Sequence, residues 1–71
     1  MAVKMSPLRS SNIESVGYDA GSHELHVTFK GGANYVYSGV DEITHQNFIE
    51  SDSPGAFLHR NIKDRFNFRK G

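Results

Sequence analysis

No cysteine occurs in the chain, which excludes a disulfide framework and any thiolate metal site. A small domain without such staples fits a reducing compartment, and the expectation is a soluble, cytoplasmic protein. Long apolar runs are missing too. Nothing approaches the roughly 20 residues that cross a membrane, and residues 1–11 lack the apolar stretch of a signal peptide. Excess charge of one sign is also absent, since eight Lys and Arg balance eight Asp and Glu. That balance argues against tight sequence-independent binding to a polyanion, which comes mainly from phosphate neutralisation. The length of 71 residues leaves room for one domain. A domain this small buries only about 60% of its unfolded surface. Its five Phe, three Tyr and scattered Ile, Leu and Val are therefore all needed for the core, and a large internal cavity is not expected.

What is present is pattern. Residues 13–18 read as a strand and are followed by a turn-rich Asp19-Ala20-Gly21-Ser22. Residues 23–30 alternate, with Leu25, Val27 and Phe29 on one face and His26, Thr28 and Lys30 on the other. Gly31-Gly32 supplies a reversal, and Asn-Tyr-Val-Tyr-Ser makes a third strand. The second half is helical. Asp41 is placed to cap a first helix in which Ile43 and Phe48 share a buried stripe, ending near Ser51. Ser53-Pro54 restarts a second helix, with Leu58, Ile62 and Phe66 as its apolar stripe. Phe68 onward reads as a fraying basic tail. The predicted architecture is α+β: a three-stranded antiparallel meander with two short helices on its Leu25/Val27/Phe29 face. The other sheet face is left to solvent or to a partner. A single domain with its core over about 10–66 is expected, with a flexible 1–8 and a basic tail at 67–71.

Charge is unevenly spread. Residues 41–52 carry Asp41, Glu42, Glu50 and Asp52 with no base, whereas residues 53–71 carry Arg60, Lys63, Arg65, Arg69 and Lys70 against Asp64. Such blocks serve either as paired, solvated helix faces or as a basic docking end for nucleic acid.

Four segments, S-S-N-I-E-S-V-G-Y-D, L-H-V-T-F-K-G-G, Y-V-Y-S-G-V and S-P-G-A-F-L-H-R-N-I-K, together resemble the KTSC domain over about residues 10–66. The likeness includes the central Y-x-Y, here Tyr35 and Tyr37, and the leading S-S-x-I, here Ser10, Ser11 and Ile13. That family is named for its place at the C-terminus of some lysyl-tRNA synthetases, and it also occurs as a free-standing bacterial or phage protein. The resemblance implies an RNA-binding role through the synthetase attachment. One departure is Asp41, where the family usually has proline after the valine; Asp caps a helix well, so the change bears on how the helix starts.

The direction of Tyr35 and Tyr37 decides much of the function, because residues two apart share a strand face. A turn over 19–22 sets Val16 opposite Leu25 and Tyr18 opposite His23. A two-residue loop at 31–32 puts the tyrosines on the open face beside His26 and Lys30, a stacking ledge of the kind used for single strands. A three-residue loop at 31–33 pairs Tyr35 with Phe29 and Tyr37 with Val27, facing the helices. Val36 favours the first register. The need for aromatic core volume favours the second, with hydroxyls at the rim.

No catalytic, metal or cofactor signature rises from the sequence. His23 and His26, three apart in a strand, project to opposite faces, while His45 and His59 sit on separate predicted helices. Ser10 and Ser11 read as backbone-bonding residues with no nearby base. At 51–63, Ser51, Ser53, Arg60 and Lys63 can hold a phosphate at a helix start. Capping by Ser53, Pro54 as the first helical residue and close packing at Gly55 explain the same residue types more simply. The expectation is a small non-enzymatic module without cofactor. It binds RNA through Arg60, Lys63, Arg65, Arg69 and Lys70, with Tyr35 or Tyr37 stacking if exposed, weakly and with a steep salt dependence. The alternative is a protein–protein module, a small phage or bacterial regulator docking on a host protein through its acidic first helix and open sheet face. No membrane partner is expected.

Overall fold

The computed structural model describes residues 3–8 and 10–71; of the N-terminal end expected to be flexible, Met1 and Ala2 lie outside them. Its elements are β1 (Ser6–Pro7), β2 (Ile13–Asp19), β3 (Glu24–Phe29), β4 (Asn34–Ser38), α1 (Glu42–Glu50), α2 (Pro54–Phe57) and β5 (Phe68–Lys70). α2 runs directly into a π-helical turn, Leu58–Ile62. The α+β class holds, but the sheet has five antiparallel strands in chain order, not three. The two additions are edge strands. β1 pairs Ser6 with Val16 and Pro7 with Ser15, and β5 pairs Phe68 with Tyr37 and Lys70 with Tyr35. Two or three residues are too few to display an alternating pattern, so the expected flexible end and fraying tail are, in part, sheet.

The first central hairpin is shifted by two residues from the expected register; the second is shifted by two from the three-residue-loop register and by one from the two-residue-loop register. Val16 faces Val27 and Tyr18 faces Leu25, because Asp19 pairs with Glu24 and the turn lies over 20–23. His23 takes the left-handed conformation there (φ 56°), and Asp19 Oδ1 accepts the Gly21 N–H at 3.0 Å. The second loop is closed by Phe29 N–H to Ala33 O at 2.8 Å, with Gly32 at φ 94°. Tyr35 therefore faces Val27 and Tyr37 faces Leu25. A two-residue slip preserves the face. Tyr35 and Tyr37 lie on the helix side.

The core is Ile13, Val16, Leu25, Val27, Tyr37, Val40, Phe48, Leu58 and Ile62. Ile43 does not join it; it is 71% exposed. Positions five apart on a helix are separated by about 140° around its axis, so Ile43 and Phe48 cannot share one stripe. The stripe is Phe48 with Ile49. Asp41 stands at the start of α1, but its carboxylate receives the Thr44 hydroxyl and not a backbone N–H. The second helix loses regularity earlier than expected: Lys63 N–H reaches Leu58 O at 2.7 Å, a five-residue step, and the chain turns off before Phe66.

The other sheet face is not simply open. Residues 3–5 cross β2 at Gly17, where an added Cβ would lie 2.5 Å from Val3 Cγ1, 2.7 Å from Met5 Sδ and 2.8 Å from Lys4 O. Only a glycine admits that crossing. Val36, which points to this face opposite His26 and Arg69, is buried.

Candidate functional site

On the helix side, β3, β4 and β5 align four aromatic rings. Phe29 meets Tyr35 edge-on at 5.6 Å, Tyr35 meets Phe68 at 5.5 Å, and Phe68 meets Tyr37 at 5.7 Å between centroids. Strand pairing sets this row, since alternate residues of neighbouring strands share a face. Residues of the second helix and of the π turn face the row across a cavity. The result is a groove of about 340 Å³ whose floor is those rings. Gly55, Leu58, His59 and Lys63 form its helical wall, and Asn12, from the loop before β2, also lines it.

Tyr37 is almost wholly buried as a residue, yet neither its hydroxyl nor that of Tyr35 hydrogen-bonds to protein among the described residues. Burial, and then the neighbouring Tyr35, push the Tyr37 phenol above its ordinary pKa, so it stays a neutral donor. Tyr18 contrasts with this: its hydroxyl donates to Val40 O at 2.6 Å, and its ring stacks on His45 at 4.5 Å. Burial raises the Tyr18 phenol and lowers the His45 imidazole, the latter against an opposing pull from Glu42.

A second, polar recess of about 400 Å³ adjoins the groove. Ser10, Ser11 and Asn12 line one side, and Asp52, Ser53, Pro54, Gly55 and Ala56 the other. Asn12 and Gly55 line both cavities. Ser10 Oγ accepts the N–H groups of Asn12 and Ile13 at 3.2 and 3.3 Å, which keeps its O–H proton free to donate elsewhere. The expected roles of Ser53 and Gly55 do not hold. Ser53 makes no side-chain cap. A Cβ on Gly55 would meet only Ser10 Oγ at 3.6 Å and Asn12 Nδ2 at 3.7 Å, ordinary contacts, so close packing does not require glycine there.

The bases singled out in the sequence are not gathered. Lys63 lines the groove, and Lys70, opposite Tyr35 across β4–β5, stands on the same side at its edge. Arg60 is exposed on the helix and does not line the groove. Arg65 borders a separate depression with Thr44, Asn47 and Phe57. Arg69 points to the opposite sheet face and donates to Glu24 Oε2 at 3.0 Å. That bond, set against partial desolvation, holds the Glu24 carboxyl below its usual range. Asn12, Phe29, His59 and Phe68 line the groove although none was expected in a binding site. Phe68 was hidden by its reading as tail, and Asn12 by the absence of any local signal that a loop returns to a helix 43 positions away.

Residues 9–66 match the KTSC domain family. The chain is similar to the crystal structure of a KTSC domain protein from Yersinia pestis, at 41% identity, TM-score 0.91 and 99% coverage of both chains. It is 37% identical to a Tsukamurella paurometabola protein over 62 residues, 87% of this chain and 92% of the relative. It is 36% identical to an uncharacterized protein of Stutzerimonas stutzeri over 61 residues, 86% of each. Among the described residues no helix is long and apolar enough to cross a membrane.

Proposed function

We propose that this chain, which belongs to the KTSC domain family, is a small non-enzymatic module that binds single-stranded nucleic acid by receiving a base in the aromatic groove. The observation that carries this reading is the continuous row Phe29–Tyr35–Phe68–Tyr37 with Lys63 and Lys70 beside it. Aromatic rings hold an unpaired base by stacking, worth about 1–3 kcal/mol per base, whatever its identity. Free tyrosine hydroxyls, Asn12 and His59 offer donors and acceptors to the base edge. A cavity of this size suits one nucleotide and not a duplex. No acid–base pair of the kind that moves protons in catalysis is needed for this role, and apart from the phenols the groove's ionisable side chains are His59 and Lys63.

The scattering of the five bases changes the expected salt response. With Lys63 and Lys70 the bases that adjoin the groove among the described residues, about two phosphates are neutralised, and log affinity falls with log salt at a slope of roughly −1 to −2, gentler than five gathered bases would give. Fluorescence anisotropy with labelled single-stranded and duplex oligomers at two salt concentrations tests this. Preference for the single strand, weakened about tenfold by Lys63→Glu, is expected. Equal affinity for duplex, or none for either, removes the reading.

A second reading rests on α1, where Ile43 stands exposed beside Glu42 on an acidic helix. An apolar socket rimmed by bases on a host protein would fit it. Partners retained from lysate after nuclease treatment and lost with Ile43→Asp would favour this surface.

A further inference from the structure

We infer that the polar recess beside the groove is a sugar subsite, so that the module takes ribonucleotides in preference to deoxyribonucleotides. This rests on the nucleic-acid reading of the groove and adds a chemical selection to it. Groove and recess meet over Gly55 and Asn12, which line both. A ligand with a flat ring and an attached hydroxylated ring fills the two in sequence.

The recess chemistry suits a sugar diol. Among the described residues its side chains are three serines, an amide, a carboxylate, a proline and an alanine, with no cation to meet a phosphate. A sugar hydroxyl is both donor and acceptor. Asp52 supplies an acceptor; Ser10, with its acceptor side already occupied by two backbone N–H groups, supplies a donor; Asn12 supplies either.

Two residues that the fold itself does not explain point the same way. Ser53 stands at the head of α2 without capping it. Gly55 lies inside the helix with neither a left-handed φ nor a steric need for glycine. Alanine would favour the helix there. A methyl group would, however, project into the junction between the two cavities. Gly55 keeps that passage clear.

The test compares short oligomers of identical base sequence, one of ribose and one of deoxyribose, bound to the full chain. The wild type should prefer the ribose form by about tenfold, the loss expected when a hydrogen-bonded hydroxyl is removed from a polar site. Gly55→Ala should melt higher by roughly 2–6 °C and lose the preference, and Asp52→Asn should narrow it. Lys70→Ala, which touches only phosphate, should lower both affinities in proportion and preserve the ratio. Equal wild-type affinity for the two sugars, or a Gly55→Ala variant that folds and keeps the full preference, overturns the sugar subsite and leaves the groove standing. Binding of neither oligomer removes both.

Discussion

The two faces of the sheet are covered in opposite ways. On one, residues 3–5 lie so tightly across Gly17 that no side chain fits between the chains. On the other, Phe48, Leu58 and Ile62 join Val27, Leu25 and Ile13 in one core, while the aromatic row borders an open cavity of about 340 Å³. Both faces are apolar at their centre. Binding potential follows the fit of the cover and not the hydrophobicity of the strand beneath it.

The largest expected effect breaks the tight face. Gly17→Val forces residues 3–5 away from β2 and should cost about 1–3 kcal/mol in chemical denaturation, the usual penalty of overpacking. The same experiment should show no loss for Gly55→Ala on the loose face. A tolerated Gly17→Val would mean that residues 3–5 are not a fixed part of the packing.

Next in size is a matched pair of hydroxyl deletions. Tyr18→Phe removes the bond to Val40 O and should cost about 0.5–1.5 kcal/mol. Tyr37→Phe removes a hydroxyl with no protein partner among the described residues and should leave stability within about 0.5 kcal/mol, while weakening ligand binding. Equal costs would erase the distinction between a structural and a site-facing tyrosine.

The smallest effect is a pH dependence. Burial against Tyr18 depresses the His45 pKa in the fold below its ordinary 6.5. The unfolded chain then binds more protons, so stability is full above about pH 6.5 and declines as pH falls through the lower folded value. Asp19 and Glu24, whose carboxyls are held low by the Ser22 hydroxyl and by Arg69, add losses of the same sign in a more acidic window, below their ordinary values of 3.8 and 4.5. His45→Gln should flatten the upper slope alone, as read from melting temperatures between pH 5 and 8.

Much of this was legible in the chain, and the exceptions share a cause. The alternation of Leu25, Val27 and Phe29 marked the core face, but the direction of Tyr35 and Tyr37 stayed open, because Val36 and the demand for aromatic volume pull toward opposite registers. Loop chemistry did not fix the registers: the first turn was expected over 19–22, whereas Asp19 pairs with Glu24 and the non-glycine His23 takes the left-handed position. Strands of two and three residues carry no period, so β1, β5 and the role of Phe68 were invisible. Lys63 was identified as a contact residue, but the dispersal of Arg65 and Arg69 to other surfaces depends on where the π turn ends and which face of β5 each residue takes. Asn12 and Gly55 meet only in three dimensions.

NMR mapping of the full chain titrated with a short single-stranded oligoribonucleotide tests directly whether the aromatic groove is the binding surface. Ring resonances of Phe29, Tyr35, Tyr37 and Phe68 should shift together with the backbone signals of Asn12, Gly55 and Lys63, while Gly17, Val36 and Ile43 stay still. Shifts confined to the acidic helix or to the face crossed by residues 3–5, with the aromatic row silent at saturating oligomer, would contradict that role for the groove.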